Sequence, residues 1–172
     1  GASMNLEEVR QHICAWVDNT LSVPSPIFNN LPPCPYSREA LLKNRVDIQC
    51  VDGAELIESI NQVARTWADK YEIVLLAAEA HTITPEKLMR GIAEYNAKFE
   101  AFDMIAFFDH PDCTDPKYKV RSCNGKYVLV GTQRRNNFIE AAKPLHKKQY
   151  FAQVTKQFLR EDHLTAPIHP KC

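Results

Sequence analysis

Glycine is scarce, with five in 172 residues. That excludes a Gly-rich flexible chain and a collagen-like repeat. No apolar run approaches the roughly 18 residues of a membrane-spanning helix. The longest runs, 73–78 and 104–108, are strand-sized. None of the six cysteines (Cys14, Cys34, Cys50, Cys113, Cys123 and Cys172) forms a Cys-x-x-C pair. No internal repeat or low-complexity segment occurs, and no basic-then-apolar leader follows Met4. Free thiols in a reducing compartment follow from this, and a cytoplasmic location is expected. Few aromatics interleave the basic residues beyond Tyr118, Tyr127 and Tyr150. A nucleic-acid groove is therefore weakly supported.

What is present describes a packed domain. The chain is 45% hydrophobic and 24% charged, which places it among ordinary globular proteins. One domain over residues 4–172 is expected, with Gly1-Ala2-Ser3 read as a tag-cleavage scar. The formal net charge is zero but unevenly spread. Residues 1–116 hold nine Lys+Arg against eighteen Asp+Glu, and residues 117–172 hold twelve against three. Either the two parts attract each other within the fold, or a basic face meets an anion.

Apolar residues at helical spacing (Leu6, Val9, Ile13, Trp16, Val17) predict an amphipathic helix over residues 5–21. Five prolines within 22–37 predict a long ordered loop. Residues 46–51 alternate as a half-buried strand, with Asp52 and Glu55 opening the next helix as a capping box. Residues 73–78 read as a strand buried on both faces. Thr84-Pro85 starts another helix, with Leu88, Ile92, Tyr95 and Phe99 as its buried stripe. A buried strand over 103–108, a hairpin-like signal at Asn124-Gly125 and a strand over 127–130 follow. A polar turn over 131–137 leads to a helix over 137–161, kinked at Pro144, and the tail from residue 164 reads as irregular. Alternation of this kind predicts an α/β fold: a mostly parallel or mixed sheet of about four strands with helices packed on it.

Four polar clusters are candidates for chemistry. Asp109-His110-Pro111-Asp112-Cys113-Thr114-Asp115 follows a strand end, where ligand crevices of open α/β sheets lie. His110 and Asp112 form an acid–base or metal-ligating pair there, with Cys113 as a further ligand; the alternative is a plain turn. His81 also follows a strand end and would join them if the two strands were neighbours. Together these four form a candidate site for a divalent transition metal. Cys34, held between Pro33 and Pro35, is a positioned thiol, either nucleophile or ligand. Arg134 and Arg135 sit where a strand runs into a helix N-terminus, a natural anion site. An open pocket at these arginines would mark an anion site, whereas carboxylate partners for both would mark a structural pair.

Cys34-Pro35-Tyr36, Glu94-Tyr95-Asn96 and His110-Pro111-Asp112 stand in this order within residues 8–115. In that respect the chain resembles an uncharacterised bacterial family, Domain of Unknown Function 1415. Its members carry Cys-Pro-Phe, Asp-Tyr-Asn and Phe-His-Pro-Asp motifs. The resemblance implies a shared architecture and a shared site that includes Tyr95 and Asn96 as substrate-binding residues.

Two functions are expected from these readings. The first is a small enzyme, metal-assisted or not, acting on a small anionic molecule. Cys34, His110 and Asp112 would be catalytic, and Arg134 and Arg135 would hold the anion. The second is a non-catalytic binding protein using its basic C-terminal third for an anionic ligand or nucleic acid.

Overall fold

The computed structural model describes residues 4–24, 36–111 and 123–147. Helix α1 (Leu6–Trp16) is capped by Asn5, whose Oδ1 accepts from the amides of Glu7 and Glu8 at 2.9 and 3.2 Å. A single wider turn continues it over Val17–Leu21, still burying Val17 and Leu21. A short helix α2 (Ser37–Leu42) was not legible in the sequence, because it follows directly on the proline-rich run. It ends where Asn44 takes a left-handed conformation (φ 56°).

Four strands follow: β1 (Val46–Cys50), β2 (Ile73–Glu79), β3 (Met104–Asp109) and β4 (Tyr127–Arg134). Helix α3 (Leu56–Arg65) connects β1 to β2, and α4 (Pro85–Phe99) connects β2 to β3. Helix α5 (Arg135–Lys147) continues directly from β4. The sheet order is β1-β2-β4-β3. The β1–β2 pair is parallel, and β4 runs antiparallel to both its neighbours. The sheet is therefore mixed, with β1, β2 and β3 pointing one way and β4 returning between β2 and β3.

Both faces of the sheet are covered, which is why β2 and β3 read as unbroken apolar runs. Alternate residues serve opposite faces. Leu75, Ala77, Phe107 and Leu129 meet Val9, Ile13 and Trp16 of α1 on the first face. Leu76, Ala78, Ala106, Phe108 and Val130 meet Leu56 and Ile60 of α3 and Leu88, Ile92 and Tyr95 of α4 on the second.

Two helix starts were predicted and only one is capped as expected. Thr84 Oγ1 accepts from Lys87 N at 3.2 Å. Asp52 makes no side-chain cap bond; a 3₁₀ turn over Gly53–Glu55 precedes α3 instead. Gly53 is required there, because a Cβ would lie 2.0 Å from Thr82 Oγ1 of the β2–α4 turn. Among the described residues no helix is long and apolar enough to cross a membrane.

Candidate functional site

The carboxyl ends of β2 and β3 lie at one edge of the sheet, but β4 starts between them. His81 and His110 are therefore not on neighbouring strands, and the premise for a shared pocket fails. His81 is exposed, in a left-handed conformation (φ 68°). His110 is buried, and its Nε2 lies 2.9 Å from the carbonyl of Ile83 in the β2–α4 turn. Asp112, Cys113 and Cys34 lie outside the described residues. Among those described, no three His, Cys, Asp or Glu side chains gather as a metal site.

Asp109 is the last residue of β3, not part of the loop, and is 2% exposed. Its Oδ2 accepts from Asn124 twice, from the backbone amide at 2.8 Å and from Nδ2 at 2.6 Å. Burial pushes this carboxyl up to about 6, with the two Asn124 bonds opposing the rise. Asn124 in turn receives Lys126 N and Tyr127 N on Oδ1, an Asx turn that leads into β4. His12 of α1 donates from Nε2 to Oδ1 and to the carbonyl of Asn124, at 3.2 and 3.1 Å, and its ring meets Tyr127 edge-on. The Asn-Gly signal thus marks the end of a long connection, residues 110–126, and not a two-residue hairpin.

Tyr95 and Asn96 are buried and hold the fold together. The Tyr95 hydroxyl bonds Thr132 Oγ1, which donates to the carbonyl of Ile105 at 2.9 Å. Burial pushes the phenol up to about 12. Asn96 reaches from α4 to the backbone of β3. Its Nδ2 donates to Ala106 O at 3.1 Å, and its Oδ1 accepts from Ala106 N at 2.7 Å. The carboxamide thereby does for this edge strand what a further strand would do.

The expected turn over 131–137 is absent, since β4 extends to Arg134 and α5 begins at the next residue. Both arginines have a carboxylate within 4 Å, the arrangement expected of a structural pair, and neither lines the cavity described below. Arg134 donates from Nε and Nη2 to Asp69 at 3.0 and 3.3 Å, over the ring of Trp67. Those bonds, with one from Trp67 Nε1, hold the Asp69 carboxyl below its usual range. Arg135 Nη2 lies 3.7 Å from Glu100. The start of α5 is served by Asp103, whose carbonyl takes Arg135 N and whose Oδ1 takes Asn136 N, at 2.8 and 2.9 Å. A carboxylate thus already occupies the helix start where an anion was expected.

The same segment does line a cavity, through other residues. On β4, Gly131 and Gln133 point to the first face while Thr132 and Arg134 point to the second. A cavity of about 410 Å³ lies on the first face between α2, α5 and the sheet. Ala40, Ile73, Phe107, Phe138 and Ala141 form its apolar lining. Gln133, Asn137, Tyr36 and Ser37 supply polar groups, and Lys43, Glu39 and Glu72 supply charges. The Phe107 ring lies across Gly131, where a Cβ would meet Phe107 Cε2 at 2.2 Å. Tyr36 ties α2 to α5 by donating to Ala141 O at 3.2 Å. The charges are paired within the protein, Lys43 with Glu39 at 2.5 Å and Arg45 with Glu72 at 2.7 Å. The sequence singled out Tyr36 and the 131–137 segment but did not join them, because the lining comes from five separate elements.

No protein-family model, curated protein or solved structure matches the chain.

Proposed function

We propose that the protein binds a small, uncharged, ring-bearing molecule in the cavity between α2, α5 and the sheet. The observation that carries this reading is the cavity itself, about 410 Å³ with an apolar lining and two carboxamide residues, Gln133 and Asn137, among its walls. Small-molecule sites have this size and this balance of lining. Phe107 and Phe138 offer ring surfaces for stacking. The paired charges argue for a neutral ligand, since a charged one would compete with Lys43–Glu39 or Arg45–Glu72. This reading keeps the expected small-molecule partner and replaces its negative charge with hydrogen-bonding groups.

The test uses three probes of one shape: benzamide, benzoate and benzylammonium. Each is titrated into the full chain while backbone amide resonances are followed. Benzamide is expected to shift Gln133, Asn137 and Phe138 selectively. Shifts scattered away from the cavity, or equal shifts with all three probes, would overturn the reading.

A second reading keeps the enzyme, with its site at the carboxyl edge. Asp109 favours it, because a carboxyl at a strand end that titrates at about 6 is suited to general-acid work. In that reading His110, the next residue along the chain, would stand beside the reacting group. Elemental analysis of the wild type and of His110→Ala tests the metal-assisted form. Metal held by the wild type and lost by the folded variant supports it, and equal content in both sinks it.

A further inference from the structure

On the first face of the sheet, β2 ends where β4 begins. Glu79, the last residue of β2, is the direct partner of Tyr127, the first residue of β4. Leu75, Ala77 and Glu79 share one side of the strand, so the Glu79 side chain leaves the sheet where the apolar positions run out. The first turn of α1 brings Glu8 to the same place. Here lies a second cavity, of about 380 Å³, whose walls include Met4, Glu8, Glu79, Ala80, Lys126 and Tyr127. It sits at the carboxyl end of β2, the edge where α/β sheets bind ligands. The first cavity lies at the opposite end of the strand, against Ile73.

The charges of the two cavities differ in one respect. In the first, Lys43 is already paired with Glu39. In the second, two carboxylates and an ammonium stand on the walls, and none of the three forms an ion pair among the described residues. Lys126 Nζ lies instead 5.3 Å from the centre of the Tyr127 ring. Opposite charges thus line one cavity without meeting, and a molecule carrying both signs can bridge them. The carboxylates leave one negative charge in excess, so a ligand with two cationic groups and one carboxylate offsets all three. A neutral amino acid would leave one carboxylate unmet. A diamine would leave Lys126 unmet, and a simple anion would meet two charges of its own sign.

We infer that this cavity binds a free basic amino acid, whose carboxylate meets Lys126 and whose two cationic groups meet Glu8 and Glu79. Met4 and Ala80 receive its aliphatic stem. All three charged side chains belong to exposed residues, so each pair contributes modestly, and discrimination comes from meeting all three at once. The site is independent of the neutral ligand proposed for the first cavity.

L-lysine and three relatives are titrated into the full chain while backbone amide resonances are followed. Each relative lacks one group: L-norleucine the side-chain ammonium, cadaverine the carboxylate, and Nα-acetyl-L-lysine the α-ammonium. L-lysine is expected to shift Glu8, Ala80, Lys126 and Tyr127 selectively. It is expected to bind tighter than each relative by about threefold or more, and less tightly as salt is raised. Lys126→Met should abolish the preference over cadaverine, and Glu8→Gln combined with Glu79→Gln the preference over norleucine, with circular dichroism unchanged in both. Equal affinity for all four probes, or shifts centred away from the cavity, would overturn the site. A preference over cadaverine that survives Lys126→Met would remove Lys126 as the carboxylate partner and overturn the assignment. Nα-acetyl-L-lysine binding as tightly as L-lysine would point to the C-terminal lysine of a peptide and overturn the free amino acid.

Discussion

The carboxamide of Asn124 closes over the carboxyl of Asp109, with Nδ2 2.6 Å from Oδ2, and ties the turn leading into β4 to the last residue of β3. The burial of Asp109, which the Asn124 bonds oppose, makes stability depend on pH in an unusual direction for a carboxyl group. Burial raises the Asp109 carboxyl from its ordinary 3.8 to about 6. Between those values the folded chain holds a proton that the unfolded chain has released, so stability falls as pH rises through the window and stays lower above it. The loss is about 3 kcal/mol at full extent. Asp109→Asn removes the titration, and the difference between variant and wild-type stability should change across this window and be flat above it. Urea unfolding at a series of pH values measures it, and a difference that is constant across the window would refute the assignment.

Thr132 and Tyr95 give an ordered pair of effects. Tyr95→Phe removes one hydroxyl and leaves Thr132 bonded to Ile105 O, so about 1 kcal/mol is expected to be lost. Thr132→Val leaves the Tyr95 hydroxyl buried without its acceptor, which costs about 1–3 kcal/mol. The valine variant should be the less stable of the two in denaturant unfolding. The reverse order would mean that the network runs differently.

Asn96→Ala should cost about 2 kcal/mol or more, because it strips both the donor and the acceptor from the Ala106 backbone at the sheet edge. Hydrogen exchange at Ala106 reads the effect directly. Protection that survives the substitution would show that Asn96 does not cover this edge.

Replacing Arg134 and Arg135 by Ala together should leave retention on an anionic matrix unchanged, because both side chains are already turned to Asp69 and Glu100. Asp69 is exposed, so losing its pair with Arg134 is expected to change stability little. A large drop in retention would restore the arginines as an anion site.

Gly131→Ala forces the Phe107 ring off β4 and into the cavity, since the two cannot share the space. About 1–3 kcal/mol of stability is expected to be lost through overpacking. Benzamide-induced shifts at Gln133 should weaken in the same variant. Unchanged shifts would separate the cavity from the ring that floors it.

Most of the fold was legible from local signals. Apolar spacing placed α1, α3 and α4, and unbroken apolar runs placed β2 and β3, because burial on one face or two leaves its period in the sequence. Thr84-Pro85 marked the start of α4, and Asn124-Gly125 marked the approach to β4. Two features misled at the end of β4, where Thr132, Gln133, Arg134 and Arg135 read as a polar turn. Thr132 is buried through its bonds to Tyr95 and Ile105, and Arg134 is partly covered by Asp69 and Trp67, so a polar stretch could continue as strand.

The site was decided at the tertiary level. By itself the sequence determined that two buried faces and an alternating order of elements would give an α/β sheet. It also carried the charge asymmetry between residues 1–116 and 117–172, two of whose basic residues, Arg134 and Arg135, meet Asp69 and Glu100 from the acidic part. It could not determine that β4 would insert between β2 and β3 and separate His81 from His110. Nor could it place Tyr36, Phe107, Gln133 and Phe138 around one cavity, or bring His12 and Asp109 to the two sides of Asn124. Local spacing records which face of an element is buried, and long-range pairing chooses which elements share that burial.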